Sequence, residues 1–136
     1  MACTKDSSTE QFKQLQEDNK RRIIHLLNSP LLDDDGYPTT EALEIIELWP
    51  YNNETGWFTF IQPLWHLSDW GWEVLRQPHP NRPEVVFDRY YLSTAGWSGN
   101  EQIIRAMMTN NMLWNFTWVS SRRGGHYQFE VELDKQ

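Results

Sequence analysis

Cysteine is almost absent from this chain, which has a single one at position 3. One cysteine cannot close an intramolecular disulfide, and it cannot form a cysteine-based zinc site. The sequence therefore excludes a disulfide-stapled secreted domain. We also expect no bound metal, because no two histidines have metal-ligand spacing, and no cofactor, because the glycine-containing segment Thr94–Gly99 matches neither a P-loop nor a dinucleotide-binding motif.

Long apolar runs are missing as well. No segment reaches the run of about 18 apolar residues that a membrane-spanning helix requires. The first eight residues contain no apolar stretch of the kind found in signal peptides. The sequence thus predicts a protein without a membrane partner that resides in the cytoplasm.

Basic residues are outnumbered, with 12 Lys and Arg against 19 Asp and Glu and a net charge of −7. The first 54 residues hold eleven of the acids and five of the bases. Binding to a nucleic-acid backbone normally depends on clustered cations that displace condensed counterions. The charge distribution therefore disfavours direct binding to a nucleic-acid backbone.

Aromatic residues, in contrast, are plentiful. They make up 14% of the 136 residues and include eight tryptophans. The mean hydropathy of −0.70 resembles that of a disordered chain, but disordered segments are poor in aromatics. Large rings give a short chain enough apolar surface for one core. We predict a single α+β domain over residues 8–136, preceded by a flexible tail over residues 1–7.

Helical patterns occupy three places. Apolar residues recur at helical spacing up to Asn28, and again in a helix that opens near Thr39 and ends before Pro50. A third helix is predicted after Ser98, which we expect to form a capping box with Glu101. Its predicted apolar stripe consists of Ile103, Ile104, Met107 and Met108.

The remaining segments have strand patterns. Trp57–Ile61 and Leu64–Val74 favour strands, although a helix over Ile61–Leu67 is an alternative. A β-branched and aromatic run over Glu84–Ser93 predicts another strand. Alternation over Trp114–Val119 and over His126–Leu133 predicts a C-terminal hairpin that turns at Ser120–Gly125. The fold class is α+β, in which N-terminal helices pack with an antiparallel sheet of about four to five strands, and one further helix precedes the hairpin.

Two polar segments form the best candidate for a ligand site. One ends at a predicted helix N-terminus, where free amides attract anions. The other carries two arginines that can grip a phosphate or carboxylate. Aromatic rings in both could stack on a planar ligand, although turns and core packing also explain these residues. The candidate ligand-binding residues are Trp97, Ser98, Gly99, Asn100, Arg122, Arg123, His126 and Tyr127.

A second candidate surface is acidic. A run of three aspartates precedes the second helix, and three glutamates follow along one side of that helix. Such a surface can imitate a phosphate backbone toward a basic protein partner. The candidate partner-binding residues are Asp33, Asp34, Asp35, Glu41, Glu44 and Glu47.

Five motifs are distributed along the chain: Asp35–Thr39, Pro63–His66, Asp69–Trp72, Ser93–Glu101 and Ser121–Tyr127. They resemble the motifs of a family of small bacteriophage and prophage proteins that has no assigned activity, which implies a place in the host cytoplasm if a phage encodes the chain. The resemblance covers about residues 31–131. This chain departs from the family at Ala95, where the family usually has glycine, and an alanine disfavours a positive φ there.

Three functional hypotheses follow from the sequence. The resemblance implies a small phage accessory protein, and such proteins commonly bind and inhibit host defence or regulatory macromolecules. The leading hypothesis is therefore a non-enzymatic protein-binding function through the acidic surface. The alternative is a protein that binds a nucleotide or a similar anion at the ligand-site candidate. A hydrolase that uses His126 with Glu101 is the weakest, since no nucleophile motif accompanies them.

Overall fold

A computed structural model describes residues 4–133, with side chains from residue 8 onward. In this range the chain forms six α-helices and four β-strands. A 3-10 turn over Gln62–Leu64 follows the third helix. The helices are α1 Thr4–Leu26, α2 Thr40–Leu48, α3 Glu54–Ile61, α4 Ser68–Gly71, α5 Ser98–Thr109 and α6 Asn111–Thr117. The strands are β1 Trp72–Pro78, β2 Val86–Ser93, β3 Trp118–Arg122 and β4 His126–Leu133.

The predicted α+β class is confirmed, with helices at the N-terminus and an antiparallel sheet of four strands. Cys3 and the start of the predicted tail lie outside the described residues, and α1 already includes Thr4. No helix in the described range is both long enough and apolar enough to cross a bilayer.

The sheet has the order β1-β2-β4-β3, and every neighbouring pair is antiparallel. Tyr90 lies opposite both Val74 and Phe129, so these side chains share one face. Tyr90 and Phe129 are buried against helices. The neighbouring positions, such as Tyr91 and Gln128, are only partly buried and point to the other face of the sheet. We call this second face the open face.

Aromatic rings form the centre of the core between the helices and the sheet. Phe58 of α3 stacks on Tyr90 with ring centroids 4.2 Å apart and also contacts Trp57, Trp72 and Phe129. Trp57 is fully buried, and its indole N–H donates to the carbonyl of Ile46 at 3.0 Å. The bond satisfies the one polar group that burial of this tryptophan would otherwise leave unpaired.

Two predicted strands are helices. Trp57–Ile61 lies in α3, and the first four residues of the predicted strand Trp114–Val119 lie in α6, so that only Trp118 and Val119 belong to a strand, β3. Each helix begins at an asparagine whose side-chain oxygen accepts a backbone N–H: Asn53 from Gly56 at 3.0 Å, and Asn110 from Leu113 at 3.4 Å. Those caps satisfy backbone amides that the first turn of a helix leaves without a partner. The two segments therefore form helices, although their alternating apolar residues predicted strands.

The predicted third helix is confirmed as α5, but its predicted capping box is wrong. The N-cap residue is Trp97, with no side-chain cap bond, and Ser98 is already helical. The amide of Glu101 donates to the carbonyl of Trp97 instead. Met108, expected in the buried stripe, is 43% exposed, whereas Ile103, Ile104 and Met107 are buried.

Candidate functional site

A groove of about 550 Å³ lies on the open face, at the end where β2 finishes. Two rows of side chains form its floor, because residues that pair across antiparallel strands point the same way. One row runs from Glu73 through Tyr91 to Gln128, and the next runs from Ser93 through His126 to Arg122. Asp69 and Trp70 of α4 add a wall. We call this site the Trp70 groove.

Trp70 is the most exposed large apolar side chain of the described residues, at 69%. A single exposed leucine is ordinary, but a tryptophan beside a polar groove offers a flat surface on which a ring can stack. The wall therefore has one apolar platform next to two carboxylates, Asp69 and Glu73.

The opposite side of the groove is cationic. Arg122 is exposed and forms no ion pair among the described residues. His126 lies directly across from it on β4. The strand β1, which directly follows Trp70 and Gly71, lies three strand spacings from β3, which is about 14 Å at the level of the backbone. That span suits a ligand whose planar part and anionic group lie several bonds apart.

Ser93 in the groove floor has an unusual hydroxyl. Its Oγ atom is inaccessible to solvent and has no hydrogen-bond partner among the described residues. Buried polar atoms are normally paired, and an unpaired one costs about 1–3 kcal/mol. The carbonyl of the same residue accepts from the indole of Trp65 at 3.2 Å, which fixes the strand end.

Two non-glycine residues near the groove have left-handed backbone conformations. Leu67, with φ 58°, directly precedes α4, and Ala95, with φ 54°, follows two residues after Ser93. The expectation that Ala95 would avoid positive φ is therefore wrong. Such conformations cost about 1–2 kcal/mol each, and they concentrate at functional sites.

Asn100 connects the two strained turns. Its side chain is buried; Oδ1 accepts from the amide of His66 at 2.8 Å, and Nδ2 donates to the carbonyls of His66 and Thr94 at 3.1 and 3.4 Å. His66 adjoins Leu67, and Thr94 adjoins Ala95. One amide side chain therefore holds both turns in place beside the groove.

The two segments proposed as the ligand site meet, but only one of them lines the groove. The amide of Thr94 donates to the carbonyl of Gly125 at 2.9 Å, which joins the hairpin turn to the loop before α5. A Cβ at Gly125 would lie 2.1 Å from the Thr94 hydroxyl, so this approach requires glycine. Arg122, His126 and Tyr127 line the groove, and Arg123 is exposed beside it.

Residues of the other segment make internal contacts. Trp97 lies between His66 and Tyr37, with ring centroids 4.2 and 4.6 Å away. Its ring covers Gly99, where an added Cβ would come within 2.1 Å of it. The Ser98 hydroxyl donates to Tyr37 Oη at 3.4 Å. Trp70 was not among the candidate ligand-binding residues. The one feature of the sequence that pointed to it was its position in an aromatic run around Gly71.

The acidic residues before α2 form a structured turn. Asp33 Oδ1 accepts from the amides of Asp35 and Tyr37, each at 2.9 Å. The amide of Gly36 donates to the carbonyl of Asp33 at 3.0 Å. Asp34 and Asp35 have exposed side chains. The carboxylate of Asp33 therefore shapes the backbone of this turn, and its two neighbours face the solvent.

The acidic side of α2 is partly neutralised by α1. Arg22 donates to both carboxylate oxygens of Glu44, at 2.9 and 3.2 Å, and this hydrogen bonding lowers the pKa of Glu44. Glu41 is half-buried and accepts from the hydroxyl of Thr40 at 3.2 Å. Partial desolvation, followed by repulsion from Glu44, raises the pKa of Glu47.

No arrangement for nucleophilic catalysis is visible in the described part of the chain. Ser93 and His126 face each other across two strands, but the Ser93 hydroxyl is inaccessible. Glu101 is exposed on α5 and is not among the groove residues that include His126. Within residues 4–133, no three His, Cys, Asp or Glu side chains are grouped to hold a metal ion.

Comparison with known proteins identifies no relative, so a function for this chain has to be argued from the geometry of the groove. The chain matches no family model, no curated protein and no solved structure. The relation to phage proteins, the acidic partner surface and the ligand site therefore stay predictions.

Substitution of Ala95 by glycine is expected to raise the free energy of unfolding by about 0.5–1 kcal/mol. The change removes left-handed strain of about 1–2 kcal/mol, offset by the greater freedom of glycine in the unfolded chain. Urea denaturation measures the effect. Gly96→Ala is the matched control, because Gly96 has φ 72° and open space around a new Cβ; it should lose stability. A loss for Ala95→Gly would contradict the strained conformation.

Proposed function

We propose that this protein is a non-enzymatic binding protein that captures a nucleotide or a similar ring-bearing anion in the Trp70 groove. The observation that carries the proposal is the pairing of an exposed tryptophan at one side of the groove with an unpaired Arg122 at the other. A concave site with a few convergent polar groups and one aromatic surface is typical of small-ligand sites.

The chemistry of the groove assigns a role to each part of such a ligand. The guanidinium of Arg122 would grip the phosphate through paired N–H groups, with His126 beside it. The indole of Trp70 would stack on the base, since every base has a π-face. Glu73 and Asp69, near the same wall, would accept hydrogen bonds from amino or hydroxyl groups of the base and sugar.

The groove volume of about 550 Å³ lies within the range of ordinary ligand pockets, which is about 300–1,000 Å³. The site is open to solvent, and its only histidine has no hydrogen-bonded acid among the described residues. Both properties favour reversible binding.

A protein partner at the acidic surface of Asp34, Asp35 and Glu47 is a separate prediction. Charge reversal of those three residues tests it.

Isothermal titration of the full chain with adenosine monophosphate, adenosine and inorganic phosphate tests the proposed site. We expect the monophosphate to bind more tightly than either fragment. Trp70→Ala and Arg122→Gln should each weaken binding about tenfold or more, the usual effect of losing an aromatic or arginine anchor. Guanosine, uridine and cytidine monophosphates, titrated alongside, would reveal a preference for another base.

Arg123→Gln is the matched control, because Arg123 is also exposed but does not line the groove. It should reduce affinity less than twofold at physiological salt, where exposed charges are largely screened. Equal losses of affinity for Arg122→Gln and Arg123→Gln would mean that general electrostatic attraction, and not a contact at Arg122, accounts for the binding. Absence of heat for all four monophosphates at millimolar concentration would refute the proposed function.

A further inference from the structure

One segment near the C-terminus differs in charge from the rest of this acidic chain. Residues 102–129 contain no Asp or Glu, although they contain Arg105, Arg122 and Arg123. This is the longest acid-free run in the sequence, and it spans most of α5, all of α6 and β3. The negative charges of the chain therefore lie outside this run, whose own charged side chains, histidine aside, are three arginines.

Exposed apolar side chains are concentrated in the same run. Met112 and Phe116 are one turn apart on α6, so they lie on the same side of that helix. Phe116 is 55% exposed, and the residues that follow, Trp118 and Val119, are exposed as well. The Trp118 indole donates to the Ser121 hydroxyl at 2.8 Å, which holds the ring along β3. We call the four apolar residues Met112, Phe116, Trp118 and Val119, together with Arg123 in the turn that follows β3, the α6–β3 surface.

From this combination we infer that the α6–β3 surface binds an acidic segment of a partner protein that also carries apolar residues. Methionine, aromatic residues and arginine are enriched in protein interfaces, and aromatic and arginine side chains dominate their binding energy. The partner's apolar side chains would cover Phe116 and Trp118. Its carboxylates would pair with Arg123, so the charges of the two surfaces are complementary.

We expect the partner segment to be bound through side-chain contacts and not through the addition of a strand to the edge of the sheet. β3 is an edge strand within the described sheet, but it has only five residues, and its register with β4 shifts between Trp118 and Ser120. Short, irregular edges resist the addition of another strand. A single-stranded nucleic acid fits less well, because Met112 and Val119 offer no ring for stacking and the arginines form no continuous track.

Selection from a random twelve-residue peptide library on the immobilised full chain tests this inference. We expect the enriched peptides to contain Asp or Glu together with aromatic or aliphatic residues. Phe116→Ser and Arg123→Glu should each weaken binding of the selected peptides about tenfold or more. Ile24→Ser, which also removes an exposed apolar side chain but on α1, should leave binding unchanged.

The remaining outcomes each overturn the inference. Enriched peptides that are neutral or basic, equal binding by Phe116→Ser, or no enrichment at all would exclude an acidic peptide partner. An oligothymidine probe that binds wild type but not Phe116→Ser would assign the surface to single-stranded DNA. A sedimentation change with concentration that Phe116→Ser abolishes would assign it to a second copy of the chain. Trp70→Ala should bind the peptides normally, so this test is independent of the groove.

Discussion

Replacing Asn100 by aspartate is expected to lower the free energy of unfolding by about 3–5 kcal/mol. The substitution keeps the side chain's shape but removes the two N–H donors that bond the carbonyls of His66 and Thr94. It also places a charge at a site that is 1% exposed, facing those same carbonyls. An uncompensated buried charge has this order of cost, and the loss is a large part of a typical domain's stability.

The effect should depend on pH. Burial raises the pKa of the introduced carboxyl above its value in the unfolded chain, near 4. The neutral form is favoured in the folded state, so the destabilisation relative to wild type is smallest below about pH 4, grows as the pH rises above that value, and is complete only above the raised pKa of the folded state. Urea denaturation at two pH values measures both parts of the prediction.

Asn115→Asp provides the control, because Asn115 is exposed on α6 and the chemical change is the same. Its stability should stay within about 0.5 kcal/mol of wild type. If Asn100→Asp were equally mild, the two turns beside the groove would not depend on this residue. The Trp70 groove would then need another explanation for its geometry.

Replacing Phe58 by alanine is expected to destabilise the protein by about 3–5 kcal/mol, as large-to-small changes in aromatic cores do. Phe58 is 1% exposed and lies where α3 meets the sheet, stacked on Tyr90. The cavity would remove ring contacts from both the helix and the strand. Thermal unfolding followed by circular dichroism measures the loss.

The same substitution distinguishes a helix from the predicted strand. A strand would place Trp57 and Phe58 on opposite faces, whereas in α3 both are buried and Thr59 is exposed. Thr59→Ala should therefore change stability by about 0.5 kcal/mol or less. A small loss for Phe58→Ala together with a large loss for Thr59→Ala would contradict the position of α3 in the core.

The sequence predicted the fold class, the first two helices, α5 and the strands β2 and β4, because their periodicities are clear and their ends carry turn residues. It failed at α3 and α6, where aromatic residues adjoin polar ones in a pattern that fits both periods. It also failed over most of the predicted strand Leu64–Val74, which contains the helix α4 and enters a strand only at Trp72. Asn53 and Asn110 were the missed signals. An asparagine before an apolar run is a helix start, and Asn110 also donates to the carbonyls of Ile46 and Trp49.

The candidate site was only partly visible in the sequence. The arginines of the hairpin turn could be proposed from local chemistry, since Gly124 and Gly125 require a turn there. The tryptophan facing them could not, because Trp70 and Arg122 are 52 residues apart and meet only through the strand order β1-β2-β4-β3. Trp97, the ring that sequence reasoning chose, is engaged by His66 and Tyr37 instead.

Whether the Trp70 groove is the ligand site is tested most directly by an NMR titration of the nitrogen-labelled full chain with adenosine monophosphate. The proposal predicts that the largest shifts occur at the Trp70 indole N–H and at the amides of Ser93, Arg122 and Gln128. Saturable shifts confined to α1 or to the acidic turn at Asp33, with those four signals unmoved, would contradict it.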